Sequence, residues 1–128
     1  MNKEQLNNTS KIILDSSIEV HRNLGPGLLE SVYEICLCKE LKIRGLNIQR
    51  QVPVPIFYKN EELNADFRID VLVEDEIIIE LKAVEITLPV HQAQLLTYLK
   101  HADKRLGFLI NFNVPRLIDG FKRMVNNF

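Results

Sequence analysis

Between residues 9 and 24 the apolar positions recur at helical spacing, with Ile13, Ser17, Val20 and Leu24 on one stripe and Leu14, Ile18 and His21 on the next. Thr9 or Ser10 offers a capping side chain, and Gly25-Pro26-Gly27 breaks the helix after about Asn23. A second helix is predicted from about Leu28 to Arg44, with Gly45 placed as a left-handed C-terminal cap. From Asn47 the period changes to two, and Pro53 and Pro55 restrict that stretch to an edge or irregular strand because proline has no amide for a ladder. Lys59-Asn60-Glu61 reads as a turn. Strands follow at about Leu63 to Val73 and Glu76 to Val84, joined by Glu74-Asp75, short enough for a tight antiparallel hairpin although it lacks glycine. Pro89 opens a third helix to about Ala102, and residues 105–112 form an apolar run that suits a buried strand. Beyond it, Leu117, Ile118, Phe121, Met124 and Val125 permit a helix. Gly120 interrupts that helix, so a helical turn followed by a strand from Phe121 to Val125 fits equally well.

This order describes an α/β sandwich, a mixed sheet flanked by helices, rather than a barrel. The 128 residues suit one domain, 1–128, with residues 1–8 as a polar, flexible leader. Apolar residues at 46% and charged residues at 26% indicate a packed core and exclude a disordered chain. The net charge of -1 supplies no global pull toward phosphate, so any nucleic-acid contact rests on a local patch. The N-terminus is polar, and no stretch reaches the roughly 18 apolar residues of a membrane span, so no membrane contact is expected and the chain reads as cytoplasmic. Cys36 and Cys38 lie on a helix that turns about 100° per residue, so their thiols face apart and neither pair nor share a zinc; free thiols fit a reducing compartment.

Candidate chemistry begins at EIIIELKAV, residues 76–84, where Glu80 and Lys82 put opposite charges into a strand that otherwise wants to be buried. Residues two apart share a face, so these two project side by side while Ile77, Ile79 and Leu81 pack the other way. Asp70, on the preceding strand, interrupts FRIDVLV in the same manner. A half-solvated ion pair on an open sheet face would also account for a lone Glu-x-Lys. A third carboxylate changes the weighing: Glu30 shares one side of the second helix with Gly27 and Tyr33, and Tyr33 leads on to Leu37 and Leu41, toward the core. A first-turn carboxylate favoured by the helix dipole is the plainer role for Glu30.

If Asp70, Glu80 and Glu30 gather within about 5 Å, each like-charge pair costs roughly 3 kcal/mol at an effective dielectric of 20. Lys82 supplies one positive charge, and a hard divalent ion such as Mg²⁺ or Mn²⁺, bound through oxygen, would supply more. Such an ion stabilises charge on a phosphoryl oxygen and acidifies bound water, which is the chemistry of phosphodiester hydrolysis. Lys82 is assigned charge stabilisation first and general-base work second.

Asp70 with Glu80-Leu81-Lys82 resembles the signature of the PD-(D/E)XK nuclease superfamily, and GLLESVY, residues 27–33, resembles the motif of its GxxExxY family. The resemblance runs from VHRNLGPGLLESVYE through FRIDVLVEDEIIIELKA and HQAQLLTYL to LGFLINF, most of the chain. It implies a restriction-endonuclease-like three-layer sandwich. It also implies Asp70 and Glu80 as metal ligands with the backbone carbonyl of Leu81, Glu30 as the helical glutamate supported by Tyr33, and Gln94 as a residue orienting water or phosphate. Ile69 stands where the superfamily name has proline.

His21 and His91 read as packed or surface residues, and His101 as a partner of the third helix's dipole. Two functions therefore compete. One is a Mg²⁺- or Mn²⁺-dependent nuclease acting on DNA ahead of RNA, paired as a homodimer where both strands of a duplex are cut. The other is a catalytically silent module of the same fold that binds nucleic acid or protein, which the near-neutral charge favours.

Overall fold

The computed structural model describes residues 1–63 and 67–128. Helix α1 spans Lys3–Leu24 and starts well before the predicted cap. Asn2 caps it: its side chain accepts the Gln5 N–H at 2.8 Å while the Asn2 N–H donates to the Gln5 side chain at 2.9 Å, a reciprocal capping box. Thr9 and Ser10 lie inside the helix, where the Ser10 hydroxyl donates to the Leu6 carbonyl at 2.7 Å. Residues 3–8 are thus the first turns of α1 and not a separate leader. The reason is packing: Leu6, Ile13 and Val20 make one seven-residue stripe, and all three are buried.

Helix α2 spans Glu30–Ile43, beginning later than predicted, after Leu29 as its cap. It ends as expected at Gly45, where the Leu46 N–H reaches the Leu41 carbonyl and the Gly45 N–H reaches that of Lys42, each at 3.0 Å, a Schellman closure. Among the described residues seven strands follow, more than predicted. They are β1 (Ile48–Pro53), β2 (Ile56–Tyr58), β3 (Glu61–Leu63), β4 (Arg68–Val73), β5 (Ile77–Lys82) and, after helix α3 (Pro89–His101), β6 (Leu106–Asn111) and β7 (Phe121–Val125). The predicted strand from Leu63 to Val73 crosses residues 64–66, which lie outside the described residues.

The main sheet runs β1-β4-β5-β6-β7, with β5 and β6 parallel through the α3 crossover and the other pairs antiparallel. Proline-bearing β1 lies at its edge, as its missing amide requires. Among the described residues strands β2 and β3 pair only with each other, as a small wing turning at Lys59-Asn60. The β4–β5 turn forms without glycine: Glu74 and Asp75 adopt φ of 54° and 55°, and the Glu74 carboxylate accepts the Asn47 N–H at 3.0 Å. At the C-terminus the helical turn plus strand prevails over the helix. A 3-10 turn, Leu117–Gly120, leads into β7, and a Cβ on Gly120 would lie 2.1 Å from the Asn111 carbonyl oxygen, so only glycine passes there.

Both sheet faces are covered. Helices α1 and α2 press Leu6, Ile13, Tyr33, Leu37 and Leu41 against Val71, Val73, Ile77, Ile79, Leu81 and Phe108. Helix α3 covers the opposite face, with Leu95, Tyr98 and Leu99 against Leu72, Ile78 and Leu109. The result is the three-layer sandwich, helices on each side of a mixed sheet. Among the described residues no helix is long and apolar enough to cross a membrane.

Candidate active site

The ladder between β4 and β5 runs from Val73 opposite Ile77 to Val71 opposite Ile79 and ends there. One step further, two acidic side chains replace the missing strand hydrogen bonds. The Leu81 N–H donates to Asp70 Oδ2 at 2.8 Å, and the Asp70 N–H donates to Glu80 Oε1 at 3.2 Å. On the other side of Asp70, β1 pairs through Arg50 and Val52 but not through Gln51, whose φ is 52°. Asp70 therefore sits where regular pairing fails on both flanks, and its side chain reaches a gap in the sheet. Glu80 is only 6% exposed.

Glu30 approaches from the first turn of α2, and the Gly-x-x-Glu-x-x-Tyr spacing explains how it is held. The Tyr33 hydroxyl donates to the Gly25 carbonyl at 2.6 Å and accepts the Leu28 N–H at 3.1 Å, while its ring stacks on Phe112 with centroids 4.7 Å apart. Gly27, at φ 97°, makes the reversal that lets the chain re-enter the helix. Tyr33 thus pins the loop that fixes where α2 begins, and with it the place of Glu30. Burial, first, and the charges of Asp70 and Glu34 raise the Glu30 pKa, opposed by Lys82 and the Ala83 amide.

Glu34, one turn beyond Glu30, had no signal in the sequence separating it from an ordinary surface glutamate. It is buried, accepts both Arg50 Nη2 at 2.7 Å and Arg50 Nε at 3.0 Å, and takes a further bond from Gln51 Nε2 at 2.9 Å. This network braces β1 against α2 beside Asp70, and Glu34 is among the charges that raise Asp70. Desolvation comes first in that rise, with the Leu81 amide and Lys82 working against it. Glu80 is displaced furthest: burial, then the adjacent Asp70 charge, pushes its carboxyl up to about 9. Lys82, half-buried at the end of β5, favours the charged form of all three carboxylates.

From the opposite face α3 contributes Gln94 and Tyr98. Gln94 Nε2 donates to the Tyr98 hydroxyl at 2.9 Å, and the pKa of that hydroxyl is raised by burial first and by the nearby negative charge of Glu80 second. Gln94 is thus linked to Tyr98, which lies one helical turn on and within electrostatic reach of the acidic pair. His21 stands elsewhere, bonded to the Val114 carbonyl at 2.7 Å, and His91 Nδ1 accepts the Leu88 N–H at 3.1 Å to cap α3.

The structure brings Asp70, Glu80, Lys82 and Glu30 into one electrostatic neighbourhood, but it does not draw three carboxylates to a common point. Among the described residues no group of three or more His, Cys, Asp or Glu side chains is spaced to hold an ion. The expected convergence of Glu30 with the strand acids is therefore absent, and Asp70 and Glu80 each turn one oxygen to a backbone amide. The donor chemistry nonetheless suits a hard cation. A buried and a half-buried carboxyl side by side, the buried one with its pKa pushed up to about 9, offer hard oxygen donors whose ionisation a cation would favour.

A family model described as the PD-(D/E)XK nuclease superfamily matches residues 7–124. No curated protein matches the chain, and no solved structure does. Nucleases of that superfamily generally use divalent metals. With a match over nearly its full length, acids on two adjoining strands and a lysine two residues after the second, this chain belongs to the PD-(D/E)XK nuclease superfamily.

Proposed function

We propose that the protein is a metal-dependent phosphodiester hydrolase acting on nucleic acid, DNA ahead of RNA. The observation that carries this reading is the Asp70–Glu80 pair at the parted ends of β4 and β5, with Glu80 buried, Asp70 half-buried and Lys82 within electrostatic reach. Asp70 and Glu80 would hold Mg²⁺ or Mn²⁺ together with the Leu81 carbonyl, with Glu30 completing the shell. When bound, the ion would neutralise charge on the phosphoryl group and acidify a water. Lys82 stabilises negative charge developing on the phosphate, and Gln94, steadied by Tyr98, orients a water or a phosphate oxygen. Gly27, by its positive φ, and Tyr33, by its hydroxyl's bonds to Gly25 and Leu28, build the loop that leads into Glu30, which supports a place in the GxxExxY branch of the superfamily. Cutting both strands of a duplex would call for a second copy of the chain. Cys38, with its thiol pushed up to about 11 by burial, and the unpaired Cys36 fit a reducing cytoplasm.

The test is to titrate Mg²⁺ and Mn²⁺ into wild type and Asp70→Ala and to assay cleavage of single-stranded, duplex and branched DNA and of RNA. Metal-dependent cutting that disappears in Asp70→Ala is the expected result. Metal uptake without turnover on every substrate would leave the second reading, a silent binding module. The net charge of -1 and the tie of both strand acids to backbone amides favour that alternative.

A further inference from the structure

A groove of about 430 Å³ lies against the outer side of α3, lined by Ile56, Phe67, Val90, Gln94, Thr97 and Tyr98. Its size falls within the range of about 300–1,000 Å³ typical of small-molecule sites, far below what a double helix occupies. The composition is that of an aromatic slot with a polar end. Phe67 is 41% exposed and meets Tyr98 edge-on, with centroids 6.3 Å apart, while the Gln94 amide and the Thr97 hydroxyl supply polar groups. Position matters more than composition. The Phe67 carbonyl accepts the Val54 N–H at 2.9 Å, which continues the extended course of β4 backward from Asp70. Three residues of extended chain place Phe67 roughly 10 Å from Asp70. Gln94 and Tyr98 both line the groove and are bonded to each other, and the Tyr98 hydroxyl lies within electrostatic reach of Glu80 and Asp70.

We propose that this groove receives the base of an unpaired nucleotide next to the phosphate held at Asp70, Glu80 and Lys82, so that the substrate is single-stranded at the point of attack. The proposal rests on the phosphodiesterase reading and deepens it. Every nucleobase has a π-face that stacks on an aromatic ring irrespective of sequence, and a partly exposed Phe67 offers such a ring. A base inside a duplex presents only its edge, so it reaches a slot of this kind by leaving the stack. The chain's charge of -1 makes stacking more important, because a weak field toward phosphate leaves binding to contacts of this sort.

The experiment is fluorescence anisotropy with a labelled oligothymidine and with its duplex, in EDTA so that no strand is cut. Wild type is compared with Phe67→Ala, which removes the ring, and with Ala93→Trp, which fills the groove from an exposed position of α3. Each variant is expected to weaken single-strand binding roughly tenfold, within the 5- to 150-fold range that about 1–3 kcal/mol per stacked base converts to, and to leave duplex binding unchanged. An oligothymidine in which the bound base is replaced by an abasic site should lose the same factor with wild type and nothing further with Phe67→Ala. Equal affinity for both strand states, or single-strand binding untouched by both variants, overturns the proposal and leaves the groove to an apolar peptide. The two readings fail separately. Groove-dependent binding without Mn²⁺-driven cleavage refutes the hydrolase alone, whereas cleavage indifferent to Phe67→Ala refutes the groove alone.

Discussion

Glu80 retains its proton through neutral pH in the metal-free fold, since burial and Asp70 both oppose its ionisation. The unfolded chain releases that proton near the ordinary value of 4.5, whereas the folded chain holds it up to about 9. Between those limits the native state binds more protons than the unfolded state, so stability contributed by Glu80 is full at acid pH and declines as pH rises. Glu80→Gln should flatten that decline, measured as urea midpoints from pH 5 to pH 9 in metal-free buffer; an unaltered slope would mean the burial is misassigned. Tyr33→Phe keeps the ring on Phe112 but strips the bonds to Gly25 and Leu28, and a loss of about 1–3 kcal/mol in denaturant unfolding is expected. At this scale Asp70, Glu80 and Lys82 were legible because a charge inside an apolar strand is conspicuous. Glu34 and Tyr98 were not, because their importance comes from Arg50, Gln51 and the acids, which only the folded chain brings to them.

Elements with strong periodicity were readable, and their ends were less so. Helix α1 began early because the Asn2-x-x-Gln5 box outranked Thr9 and Ser10, a signal that was present in the sequence but masked by the polar look of the first residues. Deleting residues 1–8 should therefore lower the melting temperature markedly, since burial of Leu6 alone is worth about 2–5 kcal/mol and the cap about 1 more. A protein that melts unchanged without them would show α1 to be sufficient from Thr9. The β4–β5 turn makes a second prediction. Asp75 holds φ 55° with a side chain that is 77% exposed, so Asp75→Gly should stabilise by roughly 0.5–1 kcal/mol, read from the shift in urea midpoint. The β2–β3 wing escaped detection as a separate unit because a turn signal at Lys59-Asn60 does not say whether its strands join the main sheet.

Across the whole molecule, alternation in the strands foretold a sheet with helices on both faces, while nothing local could specify the order β1-β4-β5-β6-β7. The near-balance of charge belongs to this scale as well. If few cations meet phosphate, the affinity for single strands should fall only gently with salt, with a log–log slope no steeper than about -2, against steeper slopes for basic binders. The parting of β4 from β5 has a mechanical consequence. Pairing between β5 and β6 continues from Ile77 opposite Leu106 to Lys82 opposite Asn111, and β1 resumes its pairing with β4 past the break at Gln51 as far as Arg68, but β4 and β5 separate after Val71 and Ile79. The sheet is thus two leaves hinged on a short seam, clasped at its open end by carboxylates rather than by backbone. Native-state hydrogen exchange should find that seam giving way before either leaf frays, and any cation that draws the clasp toward itself would change how readily the leaves swing.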